Sequence, residues 1–206
     1  MIIAGLIIAG ALVWWFLSAP EEKEPENQGQ PPVLFGKDDY QIIEKGGEKY
    51  IEIEKVGFSA KAPAEWIIEL KGDDIPQSEY WLEVYSPTAE FQHGLLIKGC
   101  AISLSAGIEP EINKETRNNI KIFKENPEKS DEIKKGYNFE IILINNNEAL
   151  KWTSPEKPLF GQSSGISLPI DEKKLIDITT TFPPGYKENC LSYWEEFLGS
   201  IVMEEK

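Results

Sequence analysis

Apolar and polar side chains alternate along much of the chain from residue 50 onward. Tyr50, Ile51, Glu52, Ile53 and Glu54 alternate, and residues 57–62 alternate again until Pro63 stops the run, the period of a half-buried strand. Residues 80–85 predict a third strand. Residues 95–106 predict a long fourth, with Leu96, Cys100, Ile102, Leu104 and Ala106 on its core face. After Pro110 the period lengthens to that of a helix: Ile112, Thr116, Ile120 and Phe123 form one stripe, and Asn126 with Pro127 ends it. Strands are predicted next at residues 138–144 and 148–153. They are joined by Asn145, Asn146 and Asn147, whose tolerance of the left-handed backbone region suits a hairpin. Residues 165–168 and 174–182 predict two more strands. A closing helix is predicted over residues 187–203, with Leu191, Trp194, Phe197, Leu198 and Ile201 on one side. Strands, helix, strands, helix is not the regular alternation of a doubly wound sheet; it predicts an α+β fold, an antiparallel β-sheet flanked by helices.

The N-terminal pattern differs. Residues 1–17 carry no charged side chain; as a helix they would span roughly 26 Å, at the short end of what a ~30 Å hydrocarbon core needs. Trp14 and Trp15 stand where the helix would leave the bilayer, a level that favours amphipathic rings. A cleaved signal peptide would show a basic leading region and a small-x-small cleavage site, whereas here Leu17 would stand at −3 to Ala19 and Pro20 would follow the cut. The expectation is a signal-anchor: a single N-terminal transmembrane helix over residues 1–18 that contacts membrane lipid, with the C-terminal domain extracytoplasmic and the protein single-pass in the cell membrane. Residues 19–46, with Pro20, Pro25, Pro31 and Pro32 among acidic and amide residues, read as an acidic proline-rich linker. Residues 47–206 read as one domain.

Composition narrows the partners. Residues 1–20 hold no ionisable side chain, so the formal charge of −14 belongs to the remainder, and an acidic domain does not seek nucleic acid. With 41% hydrophobic and 11% aromatic residues the chain lies far from the disordered class.

Candidate chemistry is sparse. Gly161, Gln162, Ser163, Ser164 and Gly165 match the G-x-S-x-G nucleophile elbow in letters, but the elbow needs a strand-to-helix turn and a later acid and histidine. Here a strand follows, and His93, the only histidine, lies upstream. His93 alone cannot build a zinc site, and the pairs Asp38–Asp39 and Asp73–Asp74 lack the calcium-loop pattern. The expectation is therefore no catalytic, cofactor-binding or metal-binding residue and no enzyme. Two features remain. At 100° per residue, Lys114, Arg117, Lys121 and Lys124 fall within about an 80° arc of the middle helix, a basic stripe that suits either an anionic partner or a solvated face. Cys100 and Cys190 both fall on faces that meet at the sheet–helix interface. An oxidising compartment would let them pair as a disulfide; otherwise they are two buried small hydrophobes.

The segment Gly57, Phe58, Ser59, Ala60, Lys61, Ala62, Pro63, Ala64, Glu65, Trp66 resembles the opening of PsbP-like domains. The turn at Asn147 to Leu150, the strand at residues 175–182 and the closing run Phe197, Leu198, Gly199, Ser200, Ile201, Val202 follow in that family's order. The resemblance covers residues 48–203. Ala60 and Ala62 stand where larger residues are usual, and Ser200–Ile201 replaces the usual Ser-Phe pair. The resemblance implies a PsbP-like α/β/α sandwich outside the cytoplasm and an accessory or binding role, with no ligand or catalytic set carried over. The functional expectation is thus a membrane-tethered extracytoplasmic binding or accessory module, ligand unknown. The alternative is a structural component of a cell-envelope or secretion assembly that makes only protein contacts.

Overall fold

The structure, a computed structural model, describes residues 33–72, 80–126, 136–158 and 161–204, all within the unit Pro31–Lys206. The expected anchor at residues 1–18 and the linker as far as residue 32 lie outside the described residues. No helix among the described residues is long and apolar enough to cross a membrane.

In chain order the strands are β1 (Val33–Leu34), β2 (Gln41–Lys45), β3 (Glu48–Ile53), β4 (Phe58–Lys61), β5 (Ile67–Lys71), β6 (Trp81–Tyr85), β7 (Glu90–Gln92), β8 (Leu95–Lys98), β9 (Ala101–Ile108), β10 (Asn138–Ile144), β11 (Asn147–Thr153), β12 (Gln162–Pro169), β13 (Lys174–Phe182) and β14 (Val202–Met203). The described helices are α1 (Pro110–Glu125) and α2 (Lys187–Gly199). Eight strands build an antiparallel sheet in the order β10-β11-β12-β13-β9-β6-β5, with β1 on β9 beyond the end of β6. A second sheet runs β14-β4-β3-β2, and β7 with β8 forms a separate hairpin.

Register assigns the two faces of the large sheet. Leu82, Val84, Ile102, Leu104, Ile166, Leu168, Ile176 and Ile178 share one face and are buried with Ile51, Ile53 and Phe58 of the second sheet and with Cys190, Trp194 and Phe197 of α2. This is the main core; period-2 patterning places those side chains on one face. α1 starts with Pro110 at its first position, where the missing N–H costs no helical bond. It packs on β11, β12 and β13, where Ile120, Leu150 and Leu175 are buried outside the main core and Phe123 meets Phe139.

Five expectations need correction. The helix-flanked α/β/α sandwich is not the architecture: the described residues are mostly strand, and the core face is covered by a second sheet together with α2 rather than by a layer of helices. Alternation identifies a strand but not the sheet it joins; β3 and β4 leave the large sheet because a short 3₁₀ turn (Glu54–Val56) and the left-handed Gly57 fold them onto each other. The linker does not reach residue 46, since β1 and β2 are paired and Tyr40 is buried. The expected long strand at residues 95–106 breaks at Gly99, φ +76°, where a Cβ would lie 2.7 Å from Ala89 Cα. The closing helix stops at Gly199, after which Val202 and Met203 pair with β4. The buried residues of α1 are Asn113, Thr116 and Ile120, while Ile112 is exposed.

Candidate functional site

The face of the large sheet opposite the core is polar beyond the cover of α1. Successive rows across β12, β13, β9 and β6 read Ser163, Thr181, Ala101, Tyr85 and then Gly165, Thr179, Ser103, Glu83. Ser163 and Thr181 hydroxyls lie 3.5 Å apart, and Ser167 donates to Asp177 on the next row. Burial pushes the Asp177 carboxyl above its ordinary range, an effect the Ser167 hydrogen bond partly offsets. At the far side, the Tyr85 hydroxyl donates to Glu69, which with burial and the nearby carboxylates pushes Tyr85 up to about 12. Lys71 and then Tyr85 hold the Glu69 carboxyl below its usual range.

The β7–β8 hairpin stands over this floor and encloses a groove of about 480 Å³, within the size range of small-ligand sites. Its wall is apolar, with Phe91, Leu95 and Ile97 exposed by 43, 53 and 47%. Phe91 is held edge-on against Tyr85, ring centroids 5.6 Å apart. Its floor offers the hydroxyls of Ser103, Ser163, Thr179 and Thr181, each donor and acceptor, with the Glu83 carboxylate at one side. Such a site suits a ligand with hydroxyl or amide groups on one face and apolar surface on the other. Sequence reading passed over these residues. Their only sequence signal is the polar half of each alternating strand, and nothing local shows that β9 lies beside β13.

The residues singled out by sequence are placed elsewhere. Lys114, Arg117, Lys121 and Lys124 all lie on α1, and the last three line a second cleft of about 470 Å³ facing Asn146 and Asn147. Arg117 donates from Nε to Asn113 Oδ1 at 2.9 Å and from Nη2 to the Asp171 carbonyl at 2.7 Å. Lys124 is paired with Glu148, and Lys121 lies 4.0 Å from Glu125. The stripe is thus interleaved with carboxylates. Cys100 and Cys190 are joined, Sγ–Sγ 2.05 Å and Cα–Cα 5.4 Å. The bond ties α2 to the start of β9, and both cysteines are buried.

Gly161 is left-handed, φ +67°, and Gln162 to Gly165 open strand β12, so the segment is not a strand-to-helix turn. Ser164 there donates to the Trp152 carbonyl. His93 is exposed at the tip of the β7–β8 hairpin. Asp39 accepts the Gly36 N–H and pairs with Lys55 at 2.8 Å, while Asp73 and Asp74 lie outside the described residues. Among the described residues no three metal-capable side chains cluster.

No sequence model of a known family matches the chain, and no curated protein matches it. Among solved structures it is similar to the solution structure of cyanobacterial PsbP (CyanoP) from Synechocystis sp. PCC 6803, with 10% identity, 82% of this chain and 95% of that chain covered, and a TM-score of 0.42. At that identity and score the likeness says nothing about a site or an activity.

Proposed function

We propose that the folded unit is a binding or accessory module, tethered through its N-terminal segment to the cell membrane and working outside the cytoplasm, and that it acts by holding a ligand rather than by catalysis. The groove under the β7–β8 hairpin carries this reading: a concave, hydroxyl-lined floor beneath an apolar wall is the form of a site for a small amphipathic molecule. The ligand this chemistry fits is uncharged or weakly cationic, because the one charged group in the groove's lining is the Glu83 carboxylate. The buried disulfide supports the compartment, since such bonds persist where the surroundings are oxidising. The order of motifs that resembles PsbP-like domains supports an accessory role.

One observation favours the alternative, an envelope or secretion component that makes only protein contacts: the hairpin's apolar side chains are open to solvent. Capture from solubilised membranes separates the two. The full-length chain is compared with Thr179→Arg, which fills the groove floor, and with Leu95→Lys, which makes the hairpin's exposed apolar wall polar. The ligand reading expects a small molecule to be retained by the unaltered chain and lost from Thr179→Arg. A protein lost only from Leu95→Lys, with no small molecule in either case, favours the assembly reading.

A further inference from the structure

The eight-stranded sheet ends in two unlike edges. β5 is five residues long and carries Glu69 and Lys71, charges of the kind that discourage pairing with another chain. β10 is seven residues long, with Glu140 its single charge and no proline. Among the described residues no strand pairs its outer side, and Leu143, 69% exposed, is the most exposed large hydrophobic. A long, apolar, unguarded edge is a template for another strand.

We propose that this edge pairs, antiparallel, with β10 of a second copy of the chain, Ile141 opposite Ile141. The hairpin defines the register. Asn145 and Asn146, at φ 47° and 67°, make a two-residue loop closed by Ile144 and Asn147. In a loop of this kind the closing residues exchange both hydrogen bonds, and the bonding alternates from there. Residues 144, 142, 140 and 138 therefore bond to β11. The N–H and C=O groups of Phe139, Ile141 and Leu143 point outward from the sheet.

Antiparallel pairing centred on Ile141 engages all three. It sets Phe139 of one copy against Leu143 of the other and covers the most exposed apolar side chain. Centring on Glu140 would place two carboxylates face to face, and centring on Ile142 would leave Phe139 opposite the turn. In the Ile141 register Glu140 faces Ile142 of the second copy and keeps its own Lys151, 3.4 Å away. One seven-residue edge falls short of the roughly 1,200 Å² at which stable complexes begin, so the pairing is weak and concentration-dependent.

Cysteine cross-linking in the full-length chain tests the register. Antiparallel partners stand about 5.5 Å apart at Cα, within disulfide range, whereas residues offset by four positions stand roughly 14 Å apart. Under mild oxidant, Ile141→Cys forms a covalent dimer alone. Phe139→Cys and Leu143→Cys each stay monomeric alone and cross-link when mixed. If Ile141→Cys fails to fold, the mixed pair reads the same register. Absence of both cross-links, or equal cross-linking of every single variant with itself, overturns the proposal.

Discussion

Tyr40 is where local reading and fold part company. It sits between proline-rich sequence and the first alternating strand, yet it is buried, donating its hydroxyl to the Tyr80 carbonyl at 3.0 Å and accepting the Ala106 N–H at 3.0 Å. Burial is the main reason its hydroxyl is pushed up to about 12. Tyr40→Phe keeps the ring but removes the Ala106 acceptor, so the expected cost is about 1–3 kcal/mol, read from urea denaturation. Gly165 lies under Trp152, and an added Cβ would come within 2.6 Å of the ring. Gly165→Ala should cost about 1–3 kcal/mol by overpacking, and less in a Trp152→Ala background where the ring is gone. Asp177 predicts a pH dependence. Its carboxyl is raised in the folded state, so the native protein binds more protons than the unfolded chain from about pH 4 upward, and stability falls as pH rises through that window. Asp177→Asn should remove this slope, gaining on the unaltered protein as pH rises above the ordinary carboxylate range. An unchanged slope would show that the carboxyl is well solvated.

Among elements, those that declare themselves locally were legible. The Asn145–Asn146 hairpin, α1 and β13 follow from turn chemistry and from periods of 3.6 and 2. Partner choice was not legible: β9 lies between β6 and β13, and pairings such as Val84 with Ile102 and Thr180 with Ile102 are tertiary events that no window of sequence reports. β2 was hidden for another reason, being exposed on both faces and so lacking apolar alternation. The α1 stripe was legible as a helical face, but its acidic neighbours Glu148 and Asp171 arrive from β11 and the β12–β13 turn. Changing Lys114, Lys121 and Lys124 to Gln should alter stability by no more than about 0.5 kcal/mol. Arg117→Gln should cost more, because the guanidinium donates to Asn113 and to the Asp171 carbonyl. The disulfide closes a separation of 90 residues. Removing it with Cys100→Ala and Cys190→Ala should cost roughly 4–5 kcal/mol in the chain-entropy account, seen as a lower Tm; a Tm equal to that of the unaltered protein would contradict it.

For the whole molecule, the groove exists only because β9 pairs with the sequence-distant β12–β13 unit so that their polar halves stand side by side, and because the β7–β8 hairpin folds over them. The core half of the same alternation was readable as core. The polar half carries no label that separates a site from a solvated surface, which is why the candidate site was missed while the core was found. The net charge of −14 sets the electrostatic frame in which the groove's carboxylate, Glu83, favours neutral or cationic ligands. The proposed role, the disulfide and access to the groove all depend on one condition, that the folded unit faces the outside of the cell. A membrane-impermeant amine label applied to intact cells reads this directly, because Lys45 and Lys55 are exposed on the folded unit. The account predicts that these lysines are modified without opening the membrane; modification only after lysis would contradict it.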